Sequence, residues 1–107
     1  IGYIQEHYYD DINVELLADK LNLTSNYVSA YFKDKVGINL SEYINKIRIS
    51  KSIDLLETTS YKVKDISQKV GFSNVNTFIR VFKKHIGSTP FEYKKKLLRI
   101  NAVDDNI

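Results

Sequence analysis

Asn76, Arg80 and Lys83 follow one another at four- and three-residue steps, which on a helix lines an amide, a guanidinium and an ammonium along one face. The planar groups among them bond in pairs. An arginine fits guanine O6 and N7, and an asparagine fits adenine N6 and N7, so this face carries the chemistry of major-groove reading. Asn26, Ala30 and Lys33 repeat the spacing earlier in the chain, with alanine where the later set has arginine. Ser29 joins the first face and Ile79 the second. Ile79 suits either a thymine methyl or ordinary packing.

No other chemistry competes with this reading. His7 and His85 are far apart in sequence, cysteine is absent, and neither a glycine-rich phosphate loop nor an H-E-x-x-H pattern occurs. No catalytic constellation, cofactor or metal is therefore expected. His85, close to a helix end, suits the helix dipole.

The elements that would carry these faces are helices. Apolar residues recur at three- and four-residue steps and no segment alternates with period two. Asn13 reads as an N-cap, while Asn39 with Glu42 and Thr89 with Pro90 and Glu92 read as capping boxes. Gly37 and Gly87 mark helix ends. The spacing predicts seven helices, over 2–9, 14–21, 25–36, 40–58, 63–70, 75–86 and 90–100.

The chain also repeats itself. Phe32-Lys33, Val36-Gly37 and Glu42-Tyr43 return as Phe82-Lys83, Ile86-Gly87 and Glu92-Tyr93. Val14, Leu17, Lys20, Leu21 and Leu23 return as Val63, Ile66, Lys69, Val70 and Phe72, one residue out of step, which a single insertion in the turn explains. Each unit is a short helix, a tight turn and a longer helix, the geometry of a helix-turn-helix. The turns are Asn22-Leu23-Thr24 and Gly71-Phe72-Ser73, with Gly71 supplying a positive φ. The expected fold is all-α: a first helix-turn-helix subdomain over 1–38, a linker helix over 39–58, a second subdomain over 59–100 and a flexible tail over 101–107.

Helical projection divides the faces. Val28, Tyr31, Phe32 and Val36 are expected inward in the first unit, and Phe78, Val81, Phe82 and Ile86 in the second. Leu40, Tyr43, Ile44 and Ile47 should hold the linker helix to the first unit, with Ile53 and Leu56 meeting the second. Phosphate contacts are expected from Thr24, Ser25, Ser73 and Asn74 at helix starts, which equally serve as caps. Lys33, Lys83 and Lys84 further along, Arg48 on the linker helix and Lys94 to Lys96 are additional candidates. Thr77 can reach a phosphate or a base edge. The linker helix spans roughly 27–28 Å at about 1.5 Å per residue, which with the width of each unit brings two reading helices to successive grooves.

Composition agrees with a polyanionic partner. The net charge is only +3, but from Thr59 onward lysine and arginine outnumber the acids, whereas before it the acids prevail. No apolar run approaches the roughly 20 residues of a membrane helix, and the lack of cysteine fits a reducing, cytoplasmic setting. The chain begins at Ile1 and contains no methionine, so a preceding domain is expected.

Asp65-Ile66-Ser67, Gly71-Phe72-Ser73, Phe78, Arg80, Phe82-Lys83-Lys84, Gly87, Thr89-Pro90 and Tyr93 closely resemble the C-terminal motif of the AraC/XylS family of bacterial regulators. Leu17-Ala18, Ser25, Tyr31-Phe32-Lys33, Gly37, Tyr43-Ile44 and Arg48 resemble its first half. The resemblance implies a bipartite domain whose two reading helices enter adjacent major grooves of double-stranded DNA. By family position Asn26, Ala30, Val75, Asn76, Thr77 and Arg80 are base-side sites. It further implies a transcription activator that recruits RNA polymerase, with an effector-binding or receiver domain ahead of it. Ala30 departs from the long polar reader of some members. Ser67 replaces the usual alanine; a small residue is kept, so packing should survive if its hydroxyl bonds a nearby carbonyl. The competing reading, a protein-interaction module without DNA affinity, predicts exposed apolar anchors where Asn76, Arg80 and Lys83 stand.

Overall fold

The computed structural model describes residues 2–10 and 12–105, with residues 100–105 described as backbone only. Among them the elements are α1 (Gly2–His7), α2 (Val14–Leu21), α3 (Ser25–Val36), α4 (Leu40–Thr58), α5 (Val63–Lys69), α6 (Val75–Ile86) and α7 (Pro90–Asp105). The chain divides into two compact units, Ile1–Arg48 and Ile49–Ile107, so the boundary falls inside α4 instead of leaving that helix as a segment of its own.

The cap expected at Asn13 and the box expected at Thr89 are present, whereas the box expected at Asn39 and Glu42 is only half formed, by the Asn39 side chain. Asn13 Oδ1 accepts from the Leu16 amide and Asn39 Oδ1 from the Glu42 amide, both at 2.8 Å. The Thr89 hydroxyl accepts from the Glu92 amide at 3.1 Å and the Glu92 carboxylate accepts from the Thr89 amide at 3.4 Å, closing the box at the start of α7, with a further hydroxyl-to-carboxylate bond at 3.0 Å. Gly37 and Gly87 end α3 and α6 with φ of 90° and 92°, where a Cβ would be strained.

The two turns share one design. Leu23 N–H donates to Ala18 C=O and Asn22 N–H to Asp19 C=O; Phe72 N–H donates to Ser67 C=O and Gly71 N–H to Gln68 C=O. Both are Schellman closures with a left-handed residue, Asn22 at φ 57° and Gly71 at φ 107°. Thr24 and Asn74 then cap the following helices. Asn22, Leu23 and Thr24 thus correspond to Gly71, Phe72 and Asn74, and Ser73 is the inserted residue.

Three helix ends differ from expectation. α1 stops at His7, because Asp10 N–H turns back to His7 C=O at 3.0 Å and the Tyr8 and Asp10 carbonyls bond Arg48. α5 ends at Lys69, with Val70 already in the turn. α7 runs through Asp105, since no glycine or proline interrupts residues 100–105. The tail expected over 101–107 is therefore helical backbone as far as Asp105; residues 106 and 107 lie outside the described residues.

In the first unit Ile4, Leu17, Ala18, Val28, Phe32, Leu40 and Ile44 form the core, with Tyr43 and Ile47 packed against it. In the second unit Ile49, Leu56, Val63, Ile66, Val70, Phe72, Phe78, Val81 and Phe82 are buried. Phe32–Tyr43 and Phe82–Tyr93 make the same edge-on ring pair, at 5.2 and 5.9 Å. Two inward assignments are corrected. Tyr31 is 55% exposed, stacked on Tyr27 at 6.1 Å, because a phenol buried without a hydrogen-bond partner is unfavourable. Ile86, in the last turn of α6, is 36% exposed at the rim of its core.

Candidate nucleic-acid interface

α3 and α6 differ from their neighbours at their starts. α2, α4, α5 and α7 each carry an acid in the first turn, whereas α3 and α6 carry none. Their N-terminal partial positive charge is thus left uncompensated, which favours an anion. Thr24 Oγ1 accepts from the Tyr27 amide at 3.2 Å, and Asn74 Oδ1 accepts from the Asn76 and Thr77 amides at 2.8 and 3.4 Å. Each cap holds the first turn rigid, and each remains exposed, beside half-buried Ser25 and exposed Ser73. Lys33 and Lys35, and Lys83, Lys84 and His85, occupy the last turns, where positive charge suits the dipole.

Between these ends the side chains divide by face. On α3, Val28 and Phe32 are buried, while Asn26, Ser29, Ala30 and Lys33 are exposed. On α6, Phe78, Val81 and Phe82 are buried, Asn76, Arg80, Lys83 and Lys84 are exposed, and Val75, Thr77 and Ile79 are half-buried. Arg80 makes no hydrogen bond or ion pair among the described residues. Its guanidinium stands at the middle of α6, where the corresponding α3 position is the bare methyl of Ala30. Ile79 lines a shallow hollow with Val63, Val75 and Phe91, so its apolar surface has neighbours of its own kind.

Arg48 is engaged within its own unit. Its Nε donates to Tyr8 C=O at 2.6 Å and its Nη2 to Asp10 C=O at 2.8 Å. These charge-assisted bonds tie α4 to the carbonyls that follow α1 and give the guanidinium a structural role. Lys94 is similarly engaged, donating to Tyr61 C=O at 3.0 Å.

Lys62 and Lys64, assigned no role from sequence, are both exposed and line the hollow beside Val75 and Ile79. The signal was available. Lysine at the start of a helix opposes the dipole, and Lys62, at the N-cap of α5, makes no capping bond. Among the described residues no group of histidine, cysteine or carboxylate side chains could hold a metal, and no helix is long and apolar enough to cross a membrane.

Known proteins with this pattern are numerous. A helix-turn-helix domain model matches residues 17–96. An uncharacterised response regulatory protein of Staphylococcus epidermidis is 35% identical over 96 residues, covering 90% of this chain; the chain spans only 38% of that relative. The crystal structure of the C-terminal domain of the two-component response regulator yesN from Fusobacterium nucleatum superposes with a TM-score of 0.84 at 39% identity, covering 87% of this chain and 91% of the other. The DNA-binding domain of AdpA, solved in complex with a target DNA, superposes with a TM-score of 0.84, covering 89% of this chain and 86% of that one; its 23% identity speaks for the fold alone. Two capped helix-turn-helix units and the match over residues 17–96 place this chain in the AraC-type helix-turn-helix family of transcription regulators.

Proposed function

We propose that this chain is the sequence-reading domain of a longer bacterial regulator, laying α3 and α6 in successive major grooves of double-stranded DNA with unequal weight. The observation that carries the reading is Arg80, exposed and unpaired beside Asn76 on a helix whose first turn holds no acid. Direct base contact comes chiefly from α6, through Asn76, Thr77 and Arg80, with Val75 and Ile79 offering apolar surface to thymine methyls. α3 contributes Asn26 and Ser29, while Ala30 adds at most a methyl contact. Thr24, Ser25, Ser73 and Asn74 hold phosphates at the two helix starts, and Lys33, Lys83 and Lys84 hold phosphates further along. Arg48 is left out, for the reason given by its carbonyl partners.

The regulator acts in the cytoplasm, as an activator that recruits RNA polymerase, and a domain ahead of this chain receives its signal. The relatives named as response regulators, of which this chain would form a minor part, support a phosphorylation receiver over an effector-binding domain.

Selection from a randomised duplex library near physiological salt, followed by sequencing, tests the reading. Two boxes about one helical turn apart, the sharper one blurring in an Arg80→Ala variant, is the expected result. Affinity without enrichment, collapsing as salt rises, would leave only electrostatic binding and refute it.

A further inference from the structure

The second unit shows what the first unit's helix pair would look like if it were closed. Val70 and Val81 are 1% and 7% exposed there, but their counterparts Leu21 and Tyr31 are 61% and 55% exposed. The same repeat thus leaves an apolar face open in one copy and buries it in the other.

That open face is concave. A groove of about 290 Å³ runs between α1, α2 and α3, floored by Leu17, Val28 and Phe32 and flanked by Tyr3, Leu21 and Tyr31. Among the described residues its only charged lining residues are Lys20 and Lys35, and no carboxylate lines it. The Lys20 ammonium stands 5.0 Å from the Tyr3 ring centre and the Lys35 ammonium 5.8 Å from that of Tyr31. Neither lysine has a carboxylate partner among the described residues. Aromatic faces therefore hold two positive charges over an apolar floor, and no described residue of the unit neutralises them.

We propose that this groove docks an amphipathic helix of a partner protein, with apolar anchors on one face and carboxylates flanking them. The groove volume lies at the bottom of the range for small-molecule sites, which is roughly 300–1,000 Å³, and suits a few side chains better than a whole ligand. Helix-in-groove recognition supplies such side chains at i, i+3, i+4 and i+7, and the flanking carboxylates would meet Lys20 and Lys35. Asn26, Ser29, Ala30 and Lys33 do not line the groove, so the partner and DNA can be held together.

Panning a displayed library of helix-forming peptides, randomised on both faces, against the chain reads the partner chemistry directly. Enriched peptides should carry apolar residues at helical spacing with aspartate or glutamate beside them. Leu21→Glu, at a largely exposed position, should weaken their binding by at least roughly tenfold, as expected for an interface anchor, while leaving the melting temperature and DNA affinity unchanged. A Lys20→Glu/Lys35→Glu double variant should shift the preference to peptides flanked by lysine or arginine. No enrichment, peptides without acidic preference, or peptides that bind the Leu21→Glu variant equally well would each overturn the proposal. So would concentration-dependent self-association abolished by Leu21→Glu, because the groove would then belong to a second copy of this chain.

Discussion

Ala18 and Ser67 occupy the same place in the two units, each buried and each accepting through its carbonyl the amide that closes the turn, from Leu23 and Phe72 respectively. They differ by one hydroxyl, and the Ser67 Oγ has no hydrogen-bond partner. The carbonyl bond that would compensate its burial is absent. A buried hydroxyl without a partner costs about 1–3 kcal/mol. Ser67→Ala removes it, matches Ala18 and raises helix propensity, so the variant should be more stable by about 1 kcal/mol. Thermal unfolding would show an upward shift of roughly 4–8 °C per kcal/mol for a domain of this size. An unchanged or lower midpoint means that a water or a rotated hydroxyl already satisfies the group.

Arg48 should act on stability and leave DNA affinity alone. Its two bonds to the Tyr8 and Asp10 carbonyls join segments far apart in sequence. Arg48→Ala leaves those carbonyls without a partner and should destabilise the first unit by about 2 kcal/mol, within the range for hydrogen bonds to charged groups. Lysine, without the planar fork, should restore only part of the loss. The decisive comparison is the salt dependence of DNA binding. If Arg48→Ala lowers its slope by about one, Arg48 contacts a phosphate after all.

Helix placement was legible in this sequence because short polar caps and two glycines punctuate it. Asn13, Thr89 with Glu92, Gly37 and Gly87 each announced a helix end through local chemistry alone. The repeat then supplied the long-range information that periodicity lacks. What escaped was tertiary. Tyr31 has the spacing of a core residue, yet its hydroxyl and its stacking on Tyr27 keep it outside. Arg48 read as a surface cation because its partners are carbonyls of residues 8 and 10, which no spacing rule brings to residue 48. Asn22 was placed in the turn, but only its equivalence to Gly71 identifies it as the left-handed residue.

Tyr93 should make the second unit sensitive to alkali. Burial raises its pKa above the ordinary 10.0; the hydrogen bond to Glu57, at 2.9 Å, and the negative charge of that carboxylate raise it further. The folded chain thus keeps the phenol proton that the unfolded chain releases earlier. The resulting stabilisation is complete below pH about 10 and disappears as pH rises through the folded value. Tyr93→Phe, which has no such proton, should lose about 0.5–1.5 kcal/mol at neutral pH. Unfolding of both proteins from pH 8 to 11 should show the gap closing above pH 10; a constant gap would contradict this assignment.

Asn74 caps α6 and is also proposed to face a phosphate. Its Oδ1 caps α6 through the Asn76 and Thr77 amides. Asn74→Ala should lower stability by about 1 kcal/mol and weaken binding to cognate and random DNA together. Asn74→Asp keeps the cap and suits the dipole better, so stability should hold or rise. The added negative charge would face the proposed phosphate, however, and affinity should fall on every sequence. If Asn74→Asp binds DNA as well as the wild type, the start of α6 does not face the backbone.

Arg80 and Ala30 provide the sharpest test of unequal reading, because the repeat makes them equivalent positions in one chain. Arg80→Ala should cost about 1–3 kcal/mol on the selected site and relax the preference at one base pair. Phosphate contact predicts something else: a similar loss on random duplex and a shallower salt slope. Ala30→Ser should change neither affinity nor preference, since a short hydroxyl replaces a methyl on an exposed face. Comparing each variant on the selected site and on random duplex at two salt concentrations separates these cases. Equal losses on both duplexes would place Arg80 on the backbone. A measurable change from Ala30→Ser would mean that α3 reads bases as closely as α6, and the asymmetry between the units would then have to be abandoned.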